Sequence, residues 1–346
     1  MAETVRRQGP VTLRQVAQRA GVHPGTASRA LNPATQPLVS EATVRRVQLA
    51  AKTLDYRPNP LARGLKTNRT MMIGIVIPDL TNALFPPIIR GAESVLAGSG
   101  YIALIADTDN DPEKERESFD ALRARQVDGL IVASAQREDW AVRAADAAEM
   151  PLVLINRRDD QANLPVVMGD DASGIEQSVR HLIDLGHRRI GHISGPSRLS
   201  TGVARTRAFR QWMFELGGDP DPDLIVESET YSVEEGARAG RILLDTAAPT
   251  AVIAGNDQLA VGLLDVLKER GMRCPEDLSI VGYNDMPYMD KLSPPLTTVR
   301  VPHAEVGAEA ARILLRRLEE PGVDPSTVAL QVRLQVRGST GPAPAA

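Results

Sequence analysis

The sequence predicts a small all-α head joined to an α/β core of two lobes, each built on a doubly wound parallel sheet. Up to Leu54, apolar residues recur with the period of helices. From Met72 onward, continuous apolar runs, typical of strands buried on both faces, alternate with helical segments. The 346 residues suffice for two or three domains with substantial cores.

The stretch from Val11 to Asn32 predicts two short helices that meet at a tight corner. Gly21 stands where a helix needs a left-handed exit, and Pro24 fits the first turn of the following helix. Small alanines on both helices allow a close approach, so the pattern indicates a helix-turn-helix.

Polar side chains of the second helix remain outside its apolar set, and they are free to enter a DNA major groove. Arg29 is the natural reader of a base edge, because its fork can pair with two acceptors of guanine. The alternative is a surface helical hairpin with a solvated arginine. The remaining polar positions of this helix are Gly25, Thr26 and Ser28.

Charge is distributed unevenly along the chain. The net charge is −4, but residues 1 to 70 hold twelve basic and three acidic residues, a balance of +9 that leaves −13 for the rest. A basic head on an acidic body is typical of a polyanion-binding module attached to a separate domain. Phosphate contacts from this head would make binding strongly salt-dependent.

Two further segments complete the predicted head. Ser40 is expected to cap a third helix, Glu41 to Leu54, that closes a three-helix core. The stretch Asn59 to Thr67, NPLARGLKT, predicts a hinge helix that is marginal alone and folds against DNA, with Leu65 between base steps and Lys66 near phosphates. A flexible interdomain linker is the alternative.

The core shows two successive series of strands and helices. Strands are predicted at MIGIVIP, YIALIAD, DGLIVAS, PLVLIN, RIGHISG, LIVES, AVIAGN and LSIVGYN. Helices are predicted at 83–96, 112–125, 140–149, 171–185, 203–216, 233–245, 258–270 and 305–319.

Polar residues at the ends of the predicted strands are candidates for a ligand site. Ligands of open parallel sheets lie beyond the carboxyl ends of the strands, and two facing lobes form a cleft there. Such residues also cap helices routinely, and that role is the alternative for each. The strand-end residues are Asp79, Asn82, Asp107, Asp109, Asn156, Arg157, Ser194, Asn256, Asp257, Asn284 and Asp285.

Four motifs resemble the lactose-repressor/purine-repressor family of bacterial transcription regulators: VTLRQVAQRAGVHPGTASRALN, VSEATVRRVQLAAKTLDYRPN, NPLARGLKTNRT and IGIVIPDLTN. The resemblance runs from about Val11 to Val336. It implies a periplasmic-binding-protein-like core and a ligand-responsive repressor of carbohydrate-related genes. The loop Pro33 to Val39 looks slightly longer than in the lactose repressor.

The resemblance sharpens the expected effector site, where Phe85 would pack on the ligand. Arg205, in RTRAF, looks like the family's effector-contacting arginine, although Ala208 replaces the usual Gly and Arg207 competes for the role. Asn284 stands where the family usually has Asp, which disfavours a ligand that needs a charged acceptor there. The expected effector contacts are Asp79, Asn82, Phe85, Asp107, Asn156, Arg157, Arg205, Asn256, Asp257, Asn284 and Asp285.

The expected DNA contacts combine the head and the hinge helix. They are Thr12, Leu13, His23, Pro24, Gly25, Thr26, Ser28, Arg29, Asn32, Tyr56, Asn59, Ala62, Arg63, Leu65 and Lys66. One head covers only a half-site, so we expect a homodimer, possibly a tetramer, on double-stranded operator DNA. The expected effector is a sugar or sugar derivative.

The domain boundaries follow from these elements. We expect a head at 1–58, a hinge helix and linker at 59–70, a core at 71–337 and a disordered tail at 338–346. The first lobe would take 71–170 and 299–323, and the second 171–298 and 324–337.

Other function classes lack their characteristic residues. The sequence has no G-x-G-x-x-G after a strand, P-loop, H-E-x-x-H or G-x-S-x-G motif, so we expect neither an enzyme nor a cofactor. His181, His187 and His192 straddle a helix end and a strand start, which disfavours a metal site. The single Cys274, with no export signal and no membrane-spanning run, predicts a cytoplasmic protein and disfavours a solute-binding protein for transport.

Overall fold

The computed structural model describes residues 11–32, 35–56, 69–219, 221–320 and 326–344. It divides into two compact units, Met1–Thr70 and Met71–Ala346. The expected hinge contacts lie outside the described residues: Asn59, Ala62, Arg63, Leu65 and Lys66. None of the helices that are described is long and apolar enough to cross a membrane.

The described part of the first unit contains three α-helices: α1 (Leu13–Ala20), α2 (Pro24–Leu31) and α3 (Glu41–Thr53). Gly21 has a φ of 64°, so the predicted left-handed exit from α1 is confirmed. Their shared core is formed by small apolar side chains, among them Val16, Ala27 and Val47, which are fully buried. Ser40 holds the cap position of α3 as expected, but its hydroxyl donates to Thr43 Oγ1 (3.0 Å) and accepts no backbone N–H.

The first lobe of the core is a parallel sheet with the strand order β11-β5-β4-β3-β1-β2. Its strands are β1 (Met72–Ile77), β2 (Ile102–Asp107), β3 (Gly129–Val132), β4 (Leu152–Ile155), β5 (Val166–Gly169) and β11 (Thr327–Leu330). Its helices are α4 (Phe85–Gly98), α5 (Pro112–Ala124), α6 (Trp140–Ala147) and α11 (His303–Glu319). The central strands β3 and β4 are buried throughout, as their continuous apolar runs predict.

The second lobe repeats this plan with the order β12-β10-β9-β8-β6-β7, in which only β12 is antiparallel to its neighbour. Its strands are β6 (Ile190–Ser194), β7 (Ile225–Glu227), β8 (Ala251–Ala254), β9 (Ser279–Asn284), β10 (Thr297–Arg300) and β12 (Arg333–Gln335). Its helices are α7 (Asp171–Asp184), α8 (Ser200–Glu215), α9 (Val233–Thr246) and α10 (Asp257–Glu269). The predicted pair of doubly wound parallel sheets is confirmed.

The four strands next to the lobe crossings, β5, β10, β11 and β12, were not predicted. The chain passes between the lobes after β5, after β10 and between β11 and β12. Strand β5 lies between β4 and the edge strand β11, and β11 belongs to the first lobe although 324–337 was assigned to the second. Both are four residues long, and only their pairing with distant residues fixes where they lie.

The segment 338–344 corrects the expectation of a disordered tail. Ser339 is fully buried, its hydroxyl donates to the Ile280 carbonyl (2.6 Å), and it accepts the Thr297 N–H (2.8 Å). The Ala343 N–H donates to the Leu185 carbonyl (2.9 Å). A Gly- and Pro-rich composition does not reveal such bonds, because they depend on unsatisfied groups of the second lobe.

Helices α4 and α11 approach so closely that their backbones are in contact at two glycines. A Cβ at Gly91 would lie 1.9 Å from the Ala304 carbonyl oxygen, and one at Gly307 would lie 1.9 Å from that of Ile88. No side chain larger than hydrogen fits at either position. This contact brings α11 onto the start of α4, which borders the cleft described below.

Candidate DNA-reading helix and effector cleft

The entrance of α2 is fixed by its own residues. His23 holds the cap position, and its Nδ1 accepts the backbone N–H of Gly25 (3.1 Å). Pro24 occupies the first turn, where its missing N–H leaves no intrahelical bond unmade. The helix begins with a defined direction although no carboxylate or hydroxyl caps it.

The two faces of α2 differ in burial. Ala27 and Ala30 are fully buried against the core of the first unit. Gly25 and Arg29 are exposed, and the Arg29 guanidinium has no partner within the described parts of the chain. Thr26 and Ser28 are partly exposed. The polar residues predicted to read DNA therefore lie outside the core and are available to a partner.

Other expected DNA contacts also stabilise the fold of this unit. Thr12 forms a capping box with Gln15: the Thr12 N–H donates to Gln15 Oε1 (2.7 Å), and Thr12 Oγ1 accepts the Gln15 N–H (3.4 Å). Leu13 and Tyr56 pack against the helical core, and burial raises the pKa of Tyr56. Asn32 ends α2, where its N–H donates to the Arg29 carbonyl.

The core unit holds a cleft between the carboxyl ends of the strands of both lobes, with about 320 Å³ of empty space. It gathers seven of the eleven predicted effector contacts. The lining residues are Asn82, Leu84, Phe85, Asn156, Arg157, Thr201, Arg205, Tyr231, Asn256 and Asn284.

The wall supplied by the first lobe begins with the turn before α4. Asn82 Oδ1 accepts the Leu84 N–H (3.0 Å), which fixes the side chain beside the cleft. Its Nδ2 donates across the cleft to Gln258 Oε1 of the second lobe (3.4 Å). Phe85 opens α4 and is only 1% exposed, so its ring forms an apolar part of the wall.

Arg205 is the best-anchored charge in the cleft. Its Nε donates to Asp171 Oδ1 (2.9 Å), its Nη1 donates to the Gly255 carbonyl (2.6 Å), and its guanidinium lies 3.8 Å from the ring centre of Tyr283. Burial lowers its pKa, but Asp171 and the two tyrosines Tyr231 and Tyr283 raise it above the ordinary value. The guanidinium is therefore held charged and oriented.

Arg207, the competing candidate, is exposed and does not line this cleft. It lies two residues along α8 from Arg205, which places it on a different face of the helix. The geometry therefore favours Arg205 for the effector role.

Three asparagines at strand ends present amide groups to the cleft. Asn156 follows β4 with a φ of 62°, and Asn284 ends β9 with a φ of 112°, conformations that Asn tolerates better than most residues. Asn256 caps α10, where its Oδ1 accepts the Leu259 N–H (2.9 Å). Within the described part of the chain, the side chains of Asn156 and Asn284 make no hydrogen bond. Their amides are available to a ligand.

Four predicted effector residues do not line the cleft, and their carboxylates serve other groups. Asp79 accepts from the backbone and hydroxyl of Thr81 (2.7 Å each). Asp107 accepts the N–H groups of Leu80 (3.3 Å) and Asp109 (3.1 Å). These two stabilise the loops after β1 and β2, so the capping alternative describes them better.

The other two carboxylates are structural in the second lobe. Asp257 is fully buried and accepts from the Met286 N–H (2.7 Å) and Thr298 Oγ1 (2.5 Å), while burial raises its pKa to about 7. Asp285 forms ion pairs with Arg300 (2.6 Å) and Arg337 (2.7 Å). In Asn256-Asp257 and Asn284-Asp285, only the first residue faces the cleft.

Three lining residues were not predicted: Leu84, Thr201 and Tyr231. The Tyr231 hydroxyl donates to Thr201 Oγ1 (3.2 Å) and closes one side of the cleft. Both follow strand ends of the second lobe, Thr201 after β6 and Tyr231 after β7. Extending the strand-end rule to the loop after β7 would have found Tyr231, and extending it to the first turn of α8 would have found Thr201.

The three histidines of the second lobe have separate partners. His181 Nε2 bonds with Thr340 Oγ1 (3.0 Å), His187 Nδ1 with Thr250 Oγ1 (2.9 Å) and His192 Nδ1 with the Ile253 carbonyl (2.8 Å). Burial lowers the pKa of His192 to about 4. These contacts describe packing roles for all three rings.

Comparison with known proteins gives a family match in each of the two units. Residues 12–59 match the family described as bacterial regulatory proteins, lacI family, and residues 179–340 match a periplasmic binding protein-like domain. The HTH-type transcriptional repressor CytR of Escherichia coli K12 is 34% identical over 331 residues, which are 95% of this chain and 96% of that protein.

Solved structures are similar over most of this chain. The Lac repressor dimer bound to operator and the anti-inducer ONPF is 27% identical with a TM-score of 0.84, over 96% of this chain and 99% of that one. A LacI family transcriptional regulator from Enterococcus faecium with bound ribose is 30% identical with a TM-score of 0.68, over 78% and 99%. This chain thus belongs to the lacI family of bacterial regulatory proteins, and it is a ligand-responsive DNA-binding transcriptional regulator and not an enzyme.

Proposed function

We propose that this chain represses transcription as a dimer on a palindromic operator, and that a small effector in the interlobe cleft switches its affinity for DNA. The observation that carries the proposal is the joint wall of the cleft: Asn156 and Arg157 come from the first lobe, and Arg205 and Asn284 come from the second. A ligand that touches both walls binds one lobe arrangement better than another and so shifts the balance between them.

Hydrogen bonds between the two lobes could support such a switch. Besides the Asn82–Gln258 bond, the Arg158 N–H donates to Ser200 Oγ (3.0 Å) and the Arg137 N–H donates to the Arg198 carbonyl (3.1 Å). Each bond joins the first lobe to the second. We propose that a change in the lobe angle breaks this set of bonds together, as a switch between two arrangements requires.

The exposed polar side of α2 supports major-groove reading, with Arg29 toward a guanine edge. A single head of this size covers a half-site, so two tethered heads gain affinity on a palindrome. The solved Lac repressor relative is itself a dimer bound to operator. We propose that the residues from Asn59 to Thr67, outside the described part, form the hinge helix that contacts the minor groove.

A sugar or sugar derivative is the effector class that the cleft supports. Amide and guanidinium groups suit hydroxyl-rich ligands, and the Phe85 ring offers an apolar surface for a ring face. The Enterococcus faecium relative was solved with bound ribose. We propose that the regulated genes concern carbohydrates and that the protein acts in the cytoplasm, on the nucleoid.

Arg29→Ala tests the DNA-reading helix. An operator is first selected from a random duplex pool with the native chain, and fluorescence anisotropy then compares it with a scrambled duplex. We expect Arg29→Ala to weaken operator binding about 10- to 100-fold, the effect of one bidentate base contact, while scrambled-DNA binding changes far less.

Arg45→Ala on α3 is the matched control, since Arg45 is also exposed but pairs with Glu41 (2.9 Å). It should preserve the ratio between the two duplexes. Unchanged discrimination in Arg29→Ala, or a selected site without two inverted half-sites, contradicts the proposal.

A further inference from the structure

Arg157 is a buried cation without a partner. It follows β4, its side chain lines the cleft, and only 7% of the residue is exposed. Its Nε is buried and has no hydrogen-bond partner. Across the described residues, its guanidinium forms neither a hydrogen bond nor an ion pair within 4.0 Å. Arg205, in the same cleft, is satisfied by Asp171 and the Gly255 carbonyl.

The charges around Arg157 do not compensate it. Burial lowers its pKa to about 10, and the neighbouring guanidiniums of Arg198 and Arg205 lower it as well. Glu115 and Tyr231 act in the opposite direction, but the carboxyl of Glu115 is hydrogen-bonded to Ser134. Arg157 thus stays charged near neutral pH, in a position where an unpaired charge is unfavourable.

The other residues that line the cleft supply hydrogen-bond donors but no negative charge. None of its ten residues is Asp or Glu. The one carboxylate that reaches a cation of the cleft, Asp171, is already paired with Arg205. The amides of Asn156 and Asn284 carry no charge. The cleft therefore holds one positive charge that the described protein groups leave unbalanced.

We propose that the effector carries an anionic group, a carboxylate or a phosphate, that pairs with the guanidinium of Arg157. The proposal rests on the function proposed above and names the ligand class of that same cleft. A carboxylate or phosphate oxygen pair matches the planar fork of an arginine, and the asparagine amides can bond the hydroxyls of the same molecule. Sugar acids and sugar phosphates combine both features.

Matched ligand pairs test the class directly. Thermal unfolding of the full chain is measured with glucuronate against glucose, galacturonate against galactose, and ribose 5-phosphate against ribose, at equal ionic strength. We expect at least one anionic member to raise the Tm by several degrees while its neutral counterpart does not. The uronate and phosphate arms separate carboxylate from phosphate, and acetate and inorganic phosphate show whether the anion alone suffices.

Arg157→Met tests the residue, with Arg158→Met as its matched control. Met keeps much of the length but removes the unpaired charge, so we expect an unchanged or higher Tm without ligand and a loss of the anionic preference. Arg158 is half-exposed and lies 3.6 Å from Asp160, so its substitution should leave the preference intact.

Three results would overturn the proposal: a neutral sugar that stabilises as much as its acid, a panel in which no anionic member raises the Tm, or a preference that survives in Arg157→Met. A marked loss of Tm in Arg157→Met without ligand would also do so, because it would show a structural role. Operator release is scored separately. An anionic ligand that binds without changing operator affinity supports this inference and contradicts the proposed switch.

Discussion

Glu115 on α5 is a carboxylate that the fold keeps from ionising readily. It is 4% exposed and accepts a hydrogen bond from Ser134 Oγ. Burial and the nearby charge of Asp139 raise its pKa to about 7, well above the value of an exposed Glu. Because the folded-state pKa is raised, protonated Glu115 contributes stability that is present at acid pH and is lost as the pH rises through 7.

Glu115→Gln is expected to remove this pH dependence. Gln keeps the shape and an acceptor for Ser134 but cannot ionise. The free energy of unfolding of the variant, relative to the native chain, should rise by about 1–3 kcal/mol between pH 5 and pH 8, since one pKa unit corresponds to roughly 1.4 kcal/mol. Urea unfolding across this range measures it.

The buried His192 and His303 change stability in the opposite direction, because burial lowers the pKa of each to about 4. Stability from their neutral forms is lost as the pH falls below about 6.5 toward 4. Both remain in Glu115→Gln, so they cancel in the comparison. Glu117→Gln, at an exposed site on the same helix, is the control and should give a flat difference. An equally flat line for Glu115→Gln would contradict the buried-charge explanation.

The positions of the strand ends predicted which residues lie near the cleft, but they did not predict which of these side chains face it. The rule found Asn156, Arg157 and Asn284 because any residue just after a parallel strand lies at that edge. It could not exclude Asp257 or Asp285, since their partners Thr298, Arg300 and Arg337 are reached only by the folded chain. In Asn256-Asp257 and Asn284-Asp285 only the first residue lines the cleft, and the packing of the second lobe decides which of the two neighbours does so.

The contact between α4 and α11 gives a prediction for Gly307. In Gly307→Ala, the new methyl group would meet the Ile88 carbonyl oxygen at 1.9 Å, so one helix backbone has to move. We expect a loss of about 1–3 kcal/mol in the free energy of unfolding, typical of overpacking, measured by urea denaturation.

Gly98→Ala provides the control within the same helix pair. Gly98 lies on α4, and an added Cβ there has no neighbour within 4 Å. This substitution should be neutral or stabilising by roughly 0.5–1 kcal/mol, because alanine favours the helix. Equal effects at both glycines would show that the close approach of the helices is not what limits position 307.

Element boundaries were predictable where the sequence contains a cap and less so elsewhere. Asp111 caps α5 through its carboxylate, and that helix begins at Pro112 as predicted. Helix α8 begins at Ser200, three residues before the prediction, and its cap position, Leu199, offers no hydrogen-bonding side chain. The short strand β5 was missed because four residues carry too little pattern to separate a strand from a loop.

At the scale of the whole molecule, we expect the segment 338–344 to stabilise the second lobe. The substitution Ser339→Ala tests this expectation. Alanine would leave the Thr297 N–H and the Ile280 carbonyl without their buried partner. We expect a loss of about 2–4 kcal/mol in the free energy of unfolding, since each unsatisfied buried group costs about 1–3 kcal/mol.

Ser99→Ala at an exposed position of the first lobe is the comparison and should change stability by less than about 0.5 kcal/mol. Urea unfolding followed by circular dichroism measures both variants. A Ser339→Ala chain as stable as the native one would mean that the segment rests on the lobe without stabilising it.

The two-lobed plan itself was visible in the sequence, because the alternation of apolar runs and helical segments repeats along the core. The assignment of the final strands was not. Strand β11 joins the first sheet and β12 the second, only a few residues apart, and both depend on pairing with strands far earlier in the chain. The local sequence pattern predicts most helices and strands, but it does not predict which distant strands pair with each other.

The late arrival of these strands has a consequence for synthesis. The sheets of the core are completed only when Thr327–Leu330 and Arg333–Gln335 have been synthesised, and the bonds of Ser339 form later still. The buried core residues of the helical head, in contrast, have all been synthesised once the chain reaches Ala51. Domains form as units while the chain emerges, the N-terminal one first. During each round of translation, a head able to touch DNA therefore precedes the effector pocket that will govern it.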